Sequence, residues 1–340
     1  MGFFNFVQSL FSSNGKLNTV ACPYCLRENS LSAKKCSGCS GDLTENYKRH
    51  YSRDKLLAVP IIGYTSSGKS VFVDSLVCTM LDLSDKQHWS KFEGTPVDTD
   101  TEKWLYEVIL PNRAKDKVPL ATNREDNFKR VLLIKGIPLW GDRIFTLRDV
   151  AGEHFEGFTF SEDVKEYIKQ SKCAIFMIDV NEVLSDPALQ FHTLFQRYVR
   201  TIIESGDSPR DRKIIIVLSK ADLYRERLPK NLLEYLNNDP LYQANGGNSK
   251  PFFIDLSDPS ALNNHAKVIL PMIDQQLSSW IATLGNGGSQ LLAQAKSEGV
   301  EIRFTIVSGW GSKPQLGATV NPLRMLDPLL WLLEFHSREV

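Results

Sequence analysis

The chain has no surplus of charge of either sign: 40 Lys and Arg stand against 40 Asp and Glu in 340 residues. A protein that grips nucleic acid or an anionic membrane with its whole surface carries a basic excess, so that class is excluded and only a local patch stays open. The chain also lacks any run of the roughly eighteen apolar residues needed to span a bilayer. Its start has neither the basic n-region nor the small-residue cleavage site of a secretory signal. Phe6 stands where a myristoylation motif after Gly2 wants Ser or Thr. Cysteine is scarce and clustered: four of the six lie in two Cys-x-x-Cys pairs within eighteen residues, and Cys78 and Cys173 lie far away. That pattern excludes a disulfide framework and points to metal binding in a reducing, cytoplasmic compartment. No internal repeat and no long low-complexity tract occurs. What is present, 42% hydrophobic and 24% charged residues, is the composition of an ordinary folded soluble protein.

Residues 1–13 place Phe3, Phe4, Val7, Leu10 and Phe11 at helical spacing with no Lys or Arg before Lys16. An amphipathic helix is expected there. Docking on the protein itself or on a partner is favoured over a peripheral membrane contact, which usually recruits basic residues. Up to Lys55 the chain carries eight Lys and Arg against four Asp and Glu. Basic and aromatic residues interleave at Tyr47-Lys48-Arg49-His50-Tyr51, a stretch read as a solvated linker in preference to a nucleic-acid contact.

From Leu56 onward, short branched apolar runs alternate with helix-length amphipathic stretches. The runs are Leu56–Ile62, Val131–Ile134, Ile144–Leu147, Cys173–Val180, Lys213–Leu218 and Val300–Val307, and Phe252–Leu256 is a further strand inside an insertion. Helices are predicted over Ser70–Leu81, Ser161–Lys172, Ala188–Glu204 and Asn263–Leu284, with a closing helix from Asp327-Pro328. This alternation predicts an α/β fold, a three-layer, mostly parallel sheet covered on both faces.

Gly63-Tyr-Thr-Ser-Ser-Gly68-Lys69-Ser70 fits G-x-x-x-x-G-K-[ST] in full, after a strand and before a helix. Backbone N–H groups from Gly63 through Ser66, Ser67 and Gly68 to Val71 would cradle phosphates at a helix N-terminus. Lys69 would hold the β- and γ-phosphates and Ser70 would ligate Mg²⁺. Eighty residues beyond Lys69, a strand ends in Asp149-Val-Ala-Gly152. Asp149 is placed to hold Mg²⁺ through water, and the N–H of Gly152 to meet the γ-phosphate. A third strand ends in Ser219-Lys220-Ala221-Asp222.

These three motifs, in this order and each at a strand end, resemble the series of the translation-factor-related (TRAFAC) class of P-loop GTPases. The resemblance covers most of the chain and implies GTP and GDP as ligands. It implies that Asp222 pairs with the guanine N1–H and 2-amino group and that Lys220 lies along the base. Ser219 stands where the family most often has Asn. A last base-contact turn is implied at Ser308-Gly309, with Ser257 as its rival. A mobile loop with a Mg²⁺-binding Thr is also implied; Thr122 is preferred and Thr95 is the rival. Glu153 occupies the position of the water-orienting Gln of many small GTPases, and Arg124 is a conceivable arginine finger in cis. The catalytic set is thus Lys69, Thr122, Gly152 and Glu153.

Cys22-x-x-Cys25 and Cys36-x-x-Cys39, with ten intervening residues, resemble a zinc ribbon. Four thiolates from two knuckles make the closed tetrahedral shell that Zn²⁺ prefers, with no open position for catalysis. The expected order is an amphipathic segment (1–18), a zinc ribbon (19–44), a linker (45–54) and a GTPase domain (55–340) with insertions near 84–118 and 223–257. The expected function is a GTP-hydrolysing switch acting on a protein effector or activator. The alternatives are a non-hydrolysing adapter, or a P-loop ATPase whose ribbon contacts nucleic acid.

Overall fold

The computed structural model describes residues 19–86, 88–113, 129–150, 162–185, 187–241, 252, 254–284, 286–311 and 320–337. Residues 1–18, with the expected amphipathic helix, lie outside this set. Nine strands are described: β1 Thr19–Ala21, β2 Glu28–Ser30, β3 Leu56–Ile62, β4 Glu93–Pro96, β5 Lys129–Ile137, β6 Gly141–Val150, β7 Cys173–Asp179, β8 Lys213–Ser219 and β9 Glu301–Ile306. The longer helices are α2 Lys69–Asp85, α3 Glu162–Gln170, α4 Pro187–Glu204, α5 Lys230–Asn237, α6 Leu270–Thr283, α7 Asn286–Glu298 and α8 Leu326–Ser337, preceded by the short α1 Glu45–His50.

β1 and β2 form an antiparallel hairpin, and the other seven strands form one sheet in the order β4-β5-β6-β3-β7-β8-β9. β6, β3, β7, β8 and β9 run parallel, whereas β5 and β4 are antiparallel to their neighbours. The apolar runs behind these strands are nearly continuous because both faces of the sheet are buried. In β7, Cys173, Ile175 and Met177 pack with α2 and α8, while Ala174, Phe176 and Ile178 pack on the opposite face with α3 and α4. The result is the expected three-layer, GTPase-like architecture.

The predicted strands recur with longer ends at β5 and β6, where Lys129, Arg130 and Arg148 interrupt the apolar pattern. Segment 84–118 contributes β4, the sheet's outer strand, and helical turns over residues 99–113. The helix over Asn263–Leu284 is a composite, with a π-helical turn at His265–Ile269 between Pro259–Asn264 and α6. The strand expected at Phe252–Leu256 is not formed among the described residues. Phe252 has φ +64°, which breaks an extended run, and Asp255 turns the chain by accepting from Ser257 N at 2.9 Å. Ile254 and Leu256 are instead buried in the core, and Trp89 Nε1 donates to Leu256 O at 3.1 Å.

The Tyr47–Tyr51 stretch is not a solvated tether. Thr44 caps α1 through Tyr47 N, Tyr47 is buried, and its hydroxyl donates to Ala21 O at 2.7 Å. Lys48 folds back on Glu45 at 2.8 Å. The aromatic part of the basic stretch is therefore turned into the N-terminal module. No helix among the described residues is long and apolar enough to cross a membrane.

Candidate functional site

The phosphate loop leaves β3 at Ile62 and enters α2 at Lys69. A Cβ on Gly63 would sit 2.6 Å from Met177 O and from Ser67 Oγ, so only glycine lets β3 and β7 close together here. Gly68 turns the chain into the helix with φ +89°, a left-handed conformation that other residues adopt at a cost. Lys69 is buried; its Nζ donates to Gly63 O at 2.9 Å and Tyr64 O at 3.0 Å and lies 3.9 Å from Asp149 Oδ1. The D-x-x-G aspartate, one residue before the end of β6, thus lies beside the loop lysine. Burial pushes Asp149 up to about 6 against the pull of Lys69, and burial likewise lowers Lys69.

Two polar atoms at this loop, Ser67 Oγ and Asp149 Oδ1, are buried without a hydrogen-bond partner. Orphaned buried oxygens are rare in folded proteins. Their presence beside a cationic amine and a helix N-terminus fits an Mg²⁺–phosphate group, with Ser70 and Asp149 as the residues that would hold the ion.

The Ser219–Asp222 end of the site is equally well defined. Ser219, at the end of β8, donates through Oγ to Ser67 O at 2.7 Å and so ties the third motif to the first. Lys220 adopts φ +57° and pairs with Asp179 at 2.8 Å. Ser308 Oγ donates to Asp222 Oδ1, and Gly311 N donates to Ser308 Oγ at 2.7 Å. The 308–311 loop is fastened on every side: Ser308 bridges to Leu323, Ser75 Oγ reaches Gly309 O at 3.0 Å, and Arg225 reaches Gly311 O at 2.7 Å. A cavity of about 210 Å³ lies between these groups, lined among others by Gly68, Lys220, Asp222, Leu223, Gly309 and Trp310. Burial raises the Asp222 carboxyl, and the Ser308 hydroxyl offsets that by stabilising the anion.

The rival positions lie elsewhere. Ser257 is exposed and bonded to Asp255, where it leads into the helix Pro259–Asn264. Thr95 sits on the outer strand β4, paired with Leu133. Thr122, Arg124, Gly152 and Glu153 fall outside the described residues. The motifs did not single out Asp179, the last residue of β7, and Glu182 just beyond it, or Arg225 and Trp310. The polar tail Asp179-Val-Asn-Glu182 directly after a buried run was the available signal for the pair. Glu182 is half-buried; burial and the Asp179 charge raise its carboxyl.

α2 also carries Asp74, buried beside Arg130 and hydrogen-bonded to Trp104, and burial pushes it up to about 7. A carboxyl raised above its unfolded value of about 4 binds more protons in the native state, so stability is lost as pH rises from about 4 through 7. Asp74→Asn keeps an acceptor for Trp104 and should raise the melting temperature by several degrees at pH 8, converging on wild type near pH 4. Thermal unfolding across that range checks it; a variant less stable at pH 8 would contradict the sign.

At the N-terminus the Sγ atoms of Cys22, Cys25, Cys36 and Cys39 all lie within 4.8 Å of one another. Tyr24 N donates to Cys22 Sγ at 3.4 Å, Gly38 N to Cys36 Sγ at 3.3 Å and Asn29 Nδ2 to Cys36 Sγ at 3.5 Å, bonds that stabilise thiolates. Hydrogen bonds from Cys22 and Cys25 hold the Cys39 thiol well below the usual thiol range. Four soft donors in one shell fit a structural Zn²⁺.

Fold and site together define a GTPase-like P-loop domain, a nucleotide-binding class, joined to a four-cysteine ribbon. Within that class, residues 57–270 match the model of the Double-GTPase 2 family; this is more than half of the chain, which belongs to that family. No curated protein matches it. Among solved structures, it is similar to the S. cerevisiae Ski7 GTPase-like domain bound to GTP, at 16% identity and a TM-score of 0.37 over 84% of this chain and 51% of that one. The same domain bound to GDP and inorganic phosphate gives 16% identity and a TM-score of 0.39 with the same coverage. The chain spans about half the length of these structures.

Proposed function

We propose that the chain binds GTP and GDP with Mg²⁺, hydrolyses GTP, and acts as a nucleotide-dependent switch on a protein partner in the cytoplasm. The observation that carries this is the Asp222–Ser308 pair, held across a cavity from the phosphate loop by a loop fastened at each polar group. A carboxylate oriented by a hydroxyl on one of its oxygens holds its two acceptor oxygens in a fixed edge, which suits the adjacent N1–H and 2-amino donors of guanine and opposes adenine. Ser219, Lys220, Asp222, Ser308 and Gly309 would bind the base end, and Gly63, Ser66, Ser67, Gly68, Lys69, Ser70 and Val71 the phosphates.

In hydrolysis, water attacks the γ-phosphorus, the β–γ bridging bond breaks, and GDP and phosphate leave. Lys69, Thr122, Gly152 and Glu153 are the residues assigned to that step. Mg²⁺, held by Ser70, Thr122 and Asp149, would neutralise developing charge on the phosphate oxygens. Zn²⁺ on Cys22, Cys25, Cys36 and Cys39 would be structural. A protein is the partner class proposed, in preference to nucleic acid because Tyr47 and Lys48 are committed to intramolecular contacts, and in preference to membrane because residues 1–13 carry no Lys or Arg.

Asp222→Asn tests the base assignment. Guanine affinity should fall about a hundredfold as two charge-assisted bonds are lost, while xanthosine nucleotide, which offers the complementary donor–acceptor pattern, should bind better than to wild type. Calorimetric titration with GTP, ATP and xanthosine triphosphate reads this directly. A wild type that prefers ATP, or unchanged GTP affinity in Asp222→Asn, would overturn it; phosphate release in the same samples separates an enzyme from a non-hydrolysing adapter.

A further inference from the structure

The ribbon does not hang free of the nucleotide domain. Val20, Leu43 and Tyr47 share one apolar core with Val97, Val131, Leu133 and Ile144, so the ribbon covers the face of β5 and β6 turned away from α2. Two polar contacts pin it there. Thr44 Oγ1 donates to Val97 O at 2.9 Å, and Arg148 Nη1 donates to Tyr24 O at 3.2 Å. Tyr24 lies between Cys22 and Cys25, and its own N–H is the one that bonds Cys22 Sγ. Its peptide groups therefore touch a thiolate on one side and the guanidinium on the other.

Arg148 is 1% exposed and stacks 5.5 Å over the ring of Tyr167, whose hydroxyl donates to Thr146 O at 2.6 Å. Its chain neighbour is Asp149. Because successive residues of a strand point to opposite faces, Arg148 faces the ribbon while Asp149 faces Lys69 and the phosphate loop. Only one peptide unit of a strand hydrogen-bonded on both sides separates the two, with Arg148 opposite Pro60 and Asp149 opposite Ile61 in β3 and Arg148 opposite Lys129 in β5.

We infer that Arg148 is a positioning residue that couples the cysteine knuckle to Asp149, so that zinc occupancy of the ribbon and nucleotide occupancy of the phosphate loop are thermodynamically linked. The inference rests on the guanine-nucleotide assignment. A bound Mg²⁺–nucleotide fixes the end of β6, which holds Arg148 on the Tyr24 carbonyl and the Cys22–Cys25 turn in its metal-binding shape. By reciprocity, filling the cysteine site raises nucleotide affinity by the same factor.

The test times zinc release from the full chain to an excess of a metallochromic chelator, with no nucleotide, with GDP and Mg²⁺, and with a non-hydrolysable GTP analogue and Mg²⁺. Nucleotide occupancy is measured on the same samples. Bound nucleotide is expected to slow release about tenfold in wild type, the lower range of typical coupling free energies. In Arg148→Met, release without nucleotide should be faster than in wild type and should no longer respond to GDP, which the variant still binds; a role confined to holding the core together would not remove that response. Thr44→Val, which removes the other pin from a partly exposed position, should also speed release while leaving the nucleotide response in place, and it serves if Arg148→Met fails to fold. Equal release from nucleotide-filled and empty wild type, or a nucleotide response intact in Arg148→Met, would overturn the coupling. Absence of nucleotide occupancy would sink the guanine-nucleotide assignment and the linkage together, and the release rates without nucleotide would still show whether Arg148 holds the knuckle.

Discussion

Lys69→Ala should remove measurable binding of GTP and GDP while leaving the fold cooperative. The Lys69 amine sits where its first two hydrogen bonds, to Gly63 O and Tyr64 O, close the loop on itself, so a phosphate oxygen takes the third proton of a cation that is already in place. Removing one partner of a buried charged contact costs about 3–5 kcal/mol, or two to nearly four orders of magnitude in Kd. The loss is sharpened because Asp149, 3.9 Å away, would then keep its charge beside the phosphates without the ammonium group that offsets it. Stability should move far less, since Lys69 itself resists burial and the variant relieves that cost while unpairing two carbonyls. Calorimetry with each nucleotide, alongside thermal melts, separates the two effects. An affinity loss below tenfold would mean that the phosphates do not lie on this loop.

The phosphate loop was legible because chemistry and context coincide in contiguous residues: a seven-residue strand, then an eight-residue motif whose last two residues open a helix. The central strands were legible for a related reason, since both of their faces are buried and their apolar runs are unbroken. β4 was not, because Glu93-Gly-Thr-Pro96 is a half-exposed outer strand whose pairing to β5 is its only qualification. α7 was hidden by Asn286-Gly-Gly-Ser at its start, residues with little helix propensity that are held by packing of Leu291 and Ala295 in the core. Phe252–Leu256 misled in the opposite way. Its apolar content signals burial, but burial of Ile254 and Leu256 is met by loop packing, and apolar content alone cannot tell a strand from that.

Long-range contacts account for what remained invisible in the site. Strand length and the closing helix favour Ser308 over Ser257, while the contact of Ser308 with Asp222 spans 86 positions of sequence. Arg148 reads as one polar residue in an alternating strand, and its partner Tyr24 lies 124 positions away. No local pattern encodes either pairing. They follow only once the strand order places β6 beside β3 and the ribbon over β5 and β6.

Replacing one zinc ligand, as in Cys25→Ser, should unfold the ribbon and damage the face of the sheet beneath it. The module has little else to hold it: β1 and β2 are three residues each, and its own buried apolar side chains, apart from the cysteines, amount to Val20, Ala21, Leu26, Leu43 and Tyr47. Such a core cannot offset the conformational entropy of ordering some thirty residues, about 1–2 kcal/mol for each backbone. A structural Zn²⁺ contributes roughly 10 kcal/mol or more in modules of this size, so its loss exceeds any margin the hairpin has. Wild type should therefore hold one zinc per chain and resist proteolysis between residues 19 and 55, whereas Cys25→Ser holds none and is cut there. Because Val97, Val131, Leu133 and Ile144 lose their cover, the variant should also bind an apolar dye and melt at lower temperature, although the phosphate loop on the other face of the sheet is built without any ribbon residue. A Cys25→Ser chain that stays protease-resistant and dye-free would show that the ribbon stands on its contacts with the sheet alone, and that the metal adds no folding free energy.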